Sequence, residues 1–185
     1  MVKISAGSCR GRILLTGTDK RVRPTTGRVK EALFSMIAAK ITQAHVLDLF
    51  SGSGNLGLEA LSRGAASAVF VDNNKKSLAM IRENIKRCGF TDQTTLLSGS
   101  ALQEKLYTCL EQPQTRGFDL VFLDPPYEQG MAQTALNHLA TADFLEPGAV
   151  IVTEEAENVT VSMPSEWNQL QSRGYGDTRI TIWTR

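Results

Sequence analysis

Val46-Leu47-Asp48-Leu49-Phe50-Ser51-Gly52-Ser53-Gly54-Asn55-Leu56-Gly57 decides the fold, because an apolar run of strand length breaks into glycines at G-x-G-x-x-G spacing. Glycines at such a turn let the backbone bend and approach a ligand without interference from Cβ, and residues 55–63 then read as a helix. The next apolar run, Ala68-Val69-Phe70-Val71-Asp72, ends on an acid twenty residues after Gly52. An acid at the end of the second strand hydrogen-bonds ribose hydroxyls, so strand, turn, helix and acid together imply a nucleoside-bearing ligand. Tight helix-on-strand packing would also use the glycines, but it would not need the acid.

The alternation continues on both sides of this unit. Residues 75–88 read as a helix closed by Gly89, 94–97 as a short strand, 101–111 as a helix and Phe118–Leu123 as a strand. A helix over 130–141 and a strand over 148–153 follow. Continuous apolar strands between helices predict an α/β fold, a mostly parallel sheet with helices on both faces. After residue 153 no long helix is expected: an irregular strand near 159–163 and strands over 169–172 and 179–183, around Gly174-Tyr175-Gly176, predict an antiparallel C-terminal end. Upstream, Val29, Leu33, Met36 and Ile37 recur at helical spacing, with Thr25 or Thr26 as N-cap. Val2–Ser5 and Arg12–Leu15 flank glycines as a short basic β-hairpin. The simplest partition is one domain over 1–185, with 1–22 a basic extension and 23–185 the core.

The formal net charge of +1 conceals an asymmetry, since residues 1–40 carry nine basic against two acidic side chains and residues 41–185 eleven against seventeen. A solvated basic face and a polyanion-binding end account for this equally well on charge alone. The three cysteines, Cys9, Cys88 and Cys109, fit neither a disulfide framework nor a C-x-x-C site, and His45 and His138 stand isolated, so no metal is expected. With no apolar run long enough to span a bilayer and no signal peptide, the reading is a soluble, cytoplasmic protein without a membrane partner.

A nicotinamide dinucleotide and S-adenosylmethionine both offer an adenosine to this geometry. Asp48, four residues before the first glycine, favours the second, because an acid there suits a cation and opposes a pyrophosphate. Gly99-Ser100-Ala101 follows the third strand.

Strand 118–123 ends in Asp124-Pro125-Pro126-Tyr127, at the carboxyl edge where open α/β sheets bind ligands. Two prolines fix φ and remove two N–H donors, leaving carbonyl acceptors that suit an amine. An aromatic exocyclic amine is a weak nucleophile. The expectation is that Asp124 and the Pro125 carbonyl accept its hydrogens while Tyr127 stacks on the base. A strand stop with Asp124 as N-cap is the structural competitor.

With these motifs in place, the sequence resembles the RsmD-type family of bacterial 16S ribosomal RNA guanine-N2 methyltransferases. The carriers are Arg23–Thr26 with Arg28–Phe34, Leu47–Gly54 with Leu56–Ala65, Asp124–Tyr127, and Tyr175–Thr178. Departures are Ser100 in place of an acid and Asn55 in place of a small apolar residue. The resemblance implies a Rossmann-like fold, S-adenosylmethionine as donor with S-adenosylhomocysteine as product, and a guanine of ribosomal RNA, free or within an assembling small subunit, as target. Carried onto this chain, it places Asp48, Phe50, Ser51, Gly52, Gly54, Asp72, Asn73, Ser100, Ala101 and Asp124 at the cofactor, and Asp124, Pro125, Pro126 and Tyr127 at the reaction. RNA phosphates are expected on Arg10, Arg12, Lys20, Arg21, Arg23 and Arg28, held over the catalytic edge. The competing functions are a DNA adenine or cytosine amino-methyltransferase, a binding module without chemistry, and an oxidoreductase.

Overall fold

The computed structural model describes residues 1–17, 27–111, 116–126 and 130–185. Its frame is a seven-stranded sheet in the order β3-β2-β1-β4-β5-β7-β6. The strands are β1 (His45–Leu49), β2 (Ser67–Asp72), β3 (Thr94–Ser98), β4 (Phe118–Leu123), β5 (Leu145–Ala156), β6 (Asn168–Tyr175) and β7 (Thr178–Thr184). The first five run parallel, and β7 lies antiparallel between β5 and β6. The chain moves outward from β1 to β3 and then returns to β4 on the other side of β1. The β1/β4 border is therefore the switch point, beside whose carboxyl edge open α/β sheets bind their ligands.

The residues of β1 and β4 that point one way share an apolar cluster with α1 (Gly27–Met36), α2 (Asn55–Ser62) and α3 (Lys75–Cys88). Those pointing the other way, such as Leu47, Leu49, Val121 and Leu123, pack with α4 (Glu104–Leu110) and α5 (Met131–Ala140). Burial on both faces explains why these strands read as continuous apolar runs. In α3, Asn74 caps the start by accepting from the Lys76 N–H at 2.8 Å, and Gly89, at φ 76°, ends it in the left-handed conformation.

Three expectations need correction. Residues 159–163 form no strand: Val161 and Met163 pack against the second cluster, but the free side of β5 is already taken by β7. The fourth helix begins at Glu104 rather than 101, because residues 101–103 form a turn in which the Gln103 N–H donates to the Ser100 carbonyl. The C-terminal turn falls on Gly176-Asp177, leaving Gly174 and Tyr175 within β6.

The N-terminal segment is antiparallel, with one bridge, Lys3 to Ile13, and no strand of ladder length. It lies flat on the first cluster, burying Ile4 and Leu14. Ser8 N–H donates to the Ser62 carbonyl at 2.8 Å, and Asn84 clamps Leu15, accepting from its N–H at 2.8 Å and donating to its carbonyl at 3.0 Å. The proposed N-caps Thr25 and Thr26 lie outside the described residues. Among the described residues, no helix is long and apolar enough to cross a membrane.

Candidate active site at the carboxyl edge

The glycine loop leaves β1 through three left-handed backbone steps at alternate residues. Phe50 has φ 58°, Gly52 57° and Gly54 76°. A phenylalanine held in the left-handed region is costly, and such strain persists where the surroundings over-determine it, often at ligand sites. Ser51 is the clamp. Its hydroxyl donates to the carbonyls of Asp48 (2.5 Å) or Val71 (3.0 Å) and accepts from the Val71 N–H (2.9 Å), tying the ends of β1 and β2 together.

Asp72 then serves two loops at once: Oδ2 accepts from the Gly52 N–H at 2.9 Å and Oδ1 from the Asn74 N–H at 2.8 Å. Each oxygen keeps a lone pair for a further donor, so the acid is pinned at the edge with capacity for ribose hydroxyls. Space exists above the loop, since a Cβ built on Gly52 would meet only the Phe50 carbonyl, at 3.9 Å.

Asp48 is turned under the loop rather than out of it. Its side chain is 2% exposed, and Oδ2 accepts from the Gly57 N–H at 2.9 Å. Burial, less the help of that N–H and with the charge of Asp72 nearby, pushes its carboxyl up to about 7. Gly57 is a glycine for a packing reason, because a Cβ there would stand 2.4 Å from the Phe70 ring and 3.0 Å from Asp48. Across β3, the Gly99 N–H donates to the Asp72 carbonyl at 3.2 Å. Ser100 is half-buried, with its hydroxyl accepting from the Leu102 N–H at 3.3 Å. Ala101 faces the core and accepts the Tyr107 hydroxyl at 2.7 Å. Asn73 is exposed beside Asp72.

β4 delivers Asp124-Pro125-Pro126 to the same edge. The β1/β4 register pairs Leu49 with Leu123, so Phe50 and Asp124 follow one step beyond, on adjacent strands. Asp124 is half-buried, Pro125 buried and Pro126 exposed. Tyr127 lies outside the described residues. The residues assembled here, 48–54, 72–74, 98–101 and 124–126, include three aspartates and neither lysine nor arginine. That acceptor-rich set fits a ligand bearing a cation and an adenosine, and it is a poor seat for a pyrophosphate.

Arg10 and Arg12 are exposed but do not stand over this edge, which corrects that expectation. The hairpin tip meets Ser62 at the far end of α2, an eight-residue helix, so it sits about 12 Å from the glycine loop along that helix. Arg28 is exposed at the start of α1, whereas Lys20, Arg21 and Arg23 lie outside the described residues.

Two features escaped sequence reasoning. Lys30 and Glu59 form an ion pair at 2.8 Å that is 2% and 0% exposed, and Lys30 spends its other hydrogens on the Lys3 carbonyl (2.7 Å) and Asn55 Oδ1 (2.8 Å). This gives the polar Asn55 its partner, directly after Gly54. Asn84, wholly buried, also donates to the Ser53 carbonyl of the glycine loop at 2.9 Å. The signal for Asn84 was a polar residue in the apolar row Ile81, Ile85 and Cys88. His138 is a packing residue, stacked on Tyr107 with ring centroids 4.7 Å apart. Among the described residues no group of three or more His, Cys, Asp or Glu is placed to hold a metal.

Residues 2–184 match the family described as conserved hypothetical protein 95. The chain is 36% identical over 178 residues to the ribosomal RNA small subunit methyltransferase D of Haemophilus influenzae, covering 95% of this chain and 89% of that protein. It superposes on the structure of yhhF from Escherichia coli with TM-score 0.84 and 30% identity, covering 100% of this chain and 97% of that one. The fold alone is shared, at TM-score 0.65 and 19% identity over 88% of this chain and 93% of the other, with an RNA methyltransferase from Salinibacter ruber in complex with S-adenosyl-L-homocysteine.

Proposed function

Because the chain belongs to the conserved hypothetical protein 95 family, and so to the RsmD-type methyltransferases it resembles in sequence, we propose that it methylates N2 of a guanine in small-subunit ribosomal RNA. S-adenosylmethionine supplies a methyl group on positively charged sulfur and leaves as S-adenosylhomocysteine. The observation that carries the reading is the Asp124-Pro125-Pro126 segment, which follows β4 at the switch point beside a strained glycine loop.

In this reading the Gly52–Gly54 backbone, Asp72 and Asn73 seat the adenosine, with Phe50 and Ser51 shaping the loop and Ser100 and Ala101 bordering the adenine. Asp48 lies beneath the amino-acid portion. Asp124 and the Pro125 carbonyl accept the two amine hydrogens, which aims the nitrogen lone pair at the donor and offsets the positive charge that grows on nitrogen. Pro126 stiffens the segment, and Tyr127 stacks on the base. The proton is lost to water after transfer, and Asp124 serves as a hydrogen-bond acceptor. The target base must be unpaired or flipped to reach this segment, and it is presented in the cytoplasm by ribosomal RNA, free or within an assembling small subunit.

Labelled methyl transfer to small-subunit particles, free ribosomal RNA and DNA, followed by nucleoside analysis, tests this. N2-methylguanine from the ribosomal substrates is expected, and N6-methyladenine or N4-methylcytosine from DNA would replace the reading with the DNA enzyme. Asp124→Ala should lower turnover by about a hundredfold to a thousandfold, the range for losing one hydrogen-bonding group that acts in the transition state, while S-adenosylhomocysteine still binds. Near-normal turnover in that variant would remove Asp124 from the chemistry.

A further inference from the structure

We propose that α3 is a phosphate-binding track that guides the RNA backbone flanking the target base between the hairpin tip and the catalytic edge. The proposal rests on the reading that the substrate is RNA.

One side of α3 is committed to the core through Ile81, Asn84, Ile85 and Cys88. The opposite side is exposed and carries Lys75, Arg82 and Lys86 in one stripe, with Lys76 and Arg87 on the neighbouring row. Lys75 and Lys86 are eleven rises apart, about 16 Å. The track has defined ends. Lys75 and Lys76 directly follow Asp72–Asn74 of the candidate site, while at the other end the Cys9 thiol donates to the Cys88 carbonyl at 3.0 Å. There Arg10, Arg12 and Arg87 line a shallow groove of about 600 Å³ whose remaining lining is small or apolar.

The charge count favours a polyanion over plain solubility. Residues 1–17 and 75–88 together carry eight lysines and arginines and a single acid, Glu83. Glu83 pairs with Arg87 at 3.2 Å with both side chains over 40% exposed, a weak tie that a phosphate can displace. A face kept merely soluble interleaves both signs. The rest of the chain taken together carries twelve basic against eighteen acidic residues, so the basic excess of the hairpin and α3 is not an average property of the sequence. RNA is favoured over an acidic protein because the track begins at the edge that must receive a base.

The test compares Arg82→Ala/Lys86→Ala/Arg87→Ala with a control of equal charge loss elsewhere, Lys105→Ala/Arg116→Ala/Arg173→Ala, all at exposed positions. Binding of a small-subunit ribosomal RNA fragment is measured across a salt series, alongside S-adenosylhomocysteine titration and steady-state methylation. The α3 variant should lose about two from the slope of log affinity against log salt and bind at least about tenfold more weakly near 0.1 M salt. Its KM for RNA should rise with kcat and cofactor affinity unchanged, and the control should match the wild type. An unchanged slope in the α3 variant, or an equal loss in the control, overturns the track while leaving the enzyme's activity standing. A wild-type protein that transfers no methyl group to RNA overturns the functional reading instead.

Discussion

Asp48 is the residue at which packing and chemistry meet. In the folded chain burial raises its carboxyl from an ordinary value near 3.8 to about 7, and it still receives the Gly57 N–H. An acid with a raised folded pKa favours the fold fully below its unfolded pKa, and that contribution is lost as pH climbs through the folded one. Asparagine keeps the acceptor for Gly57 and carries no charge. Asp48→Asn should therefore stabilise the protein by an amount that grows between about pH 4 and pH 7 and levels off near 2–4 kcal/mol, an upper range for a fully buried acid. Thermal unfolding of both proteins at pH 5 and pH 8 checks it, and a gain that does not change with pH would count against the buried charge. Glu155, also pushed up to about 7 by burial and by Glu154, acts in the same direction and is common to both proteins. The acid before the glycines was legible in the sequence, but its partner was not, since the contact depends on how closely α2 settles on β1 and β2.

Among the elements, α1, α2 and the N-terminal segment are held by one polar knot. Glu59 accepts from Lys30, from Ser5 N–H and hydroxyl, from Ala6 N–H and from Arg63, all within 3.1 Å. Burial alone would raise the Glu59 pKa, but the bonds from Lys30 and Ser5 outweigh it and hold it below its usual value. A satisfied buried pair roughly offsets its own desolvation, whereas removing one partner leaves the other desolvated. Lys30→Met should cost about 3 kcal/mol in urea unfolding at pH 7, and a cost under about 1 kcal/mol would show that Arg63 alone neutralises Glu59. Helical period located α1 and α3, and the buried face of α3 is the one its apolar spacing predicts. The same spacing says nothing of a lysine turned inward, because Lys30 occupies an apolar row only through a glutamate distant in sequence. Similarly, Val159, Val161 and Met163 alternate as a strand should, yet pairing needs a free neighbour that β7 has already occupied.

For the whole molecule, the sequence suggests an extension over residues 1–22, while the contacts of residues 1–17 suggest an integral cap. Ile4 and Leu14 are buried, and Ser5 and Ala6 complete the shell of Glu59. We infer one folding unit over 1–185, so deletion of residues 1–15 should lower stability by at least about 3 kcal/mol, consistent with two buried aliphatic side chains and an opened ion pair. A truncated protein that unfolds at the wild-type urea midpoint and loses only RNA affinity would instead make the segment a separable module. The sequence by itself determined the alternation of helices and parallel strands from β1 to β5 and the ends of β1 and β4 at which the glycine and proline motifs fall, because apolar period and glycine and proline spacing are local properties. Only the tertiary structure decided that Arg10 and Arg12 stand beside Arg87 on the flank rather than over that edge, and that Asp48 and Lys30 are buried. Those outcomes follow from the docking of the N-terminal segment on α2 and α3, which brings together charges that no local pattern relates.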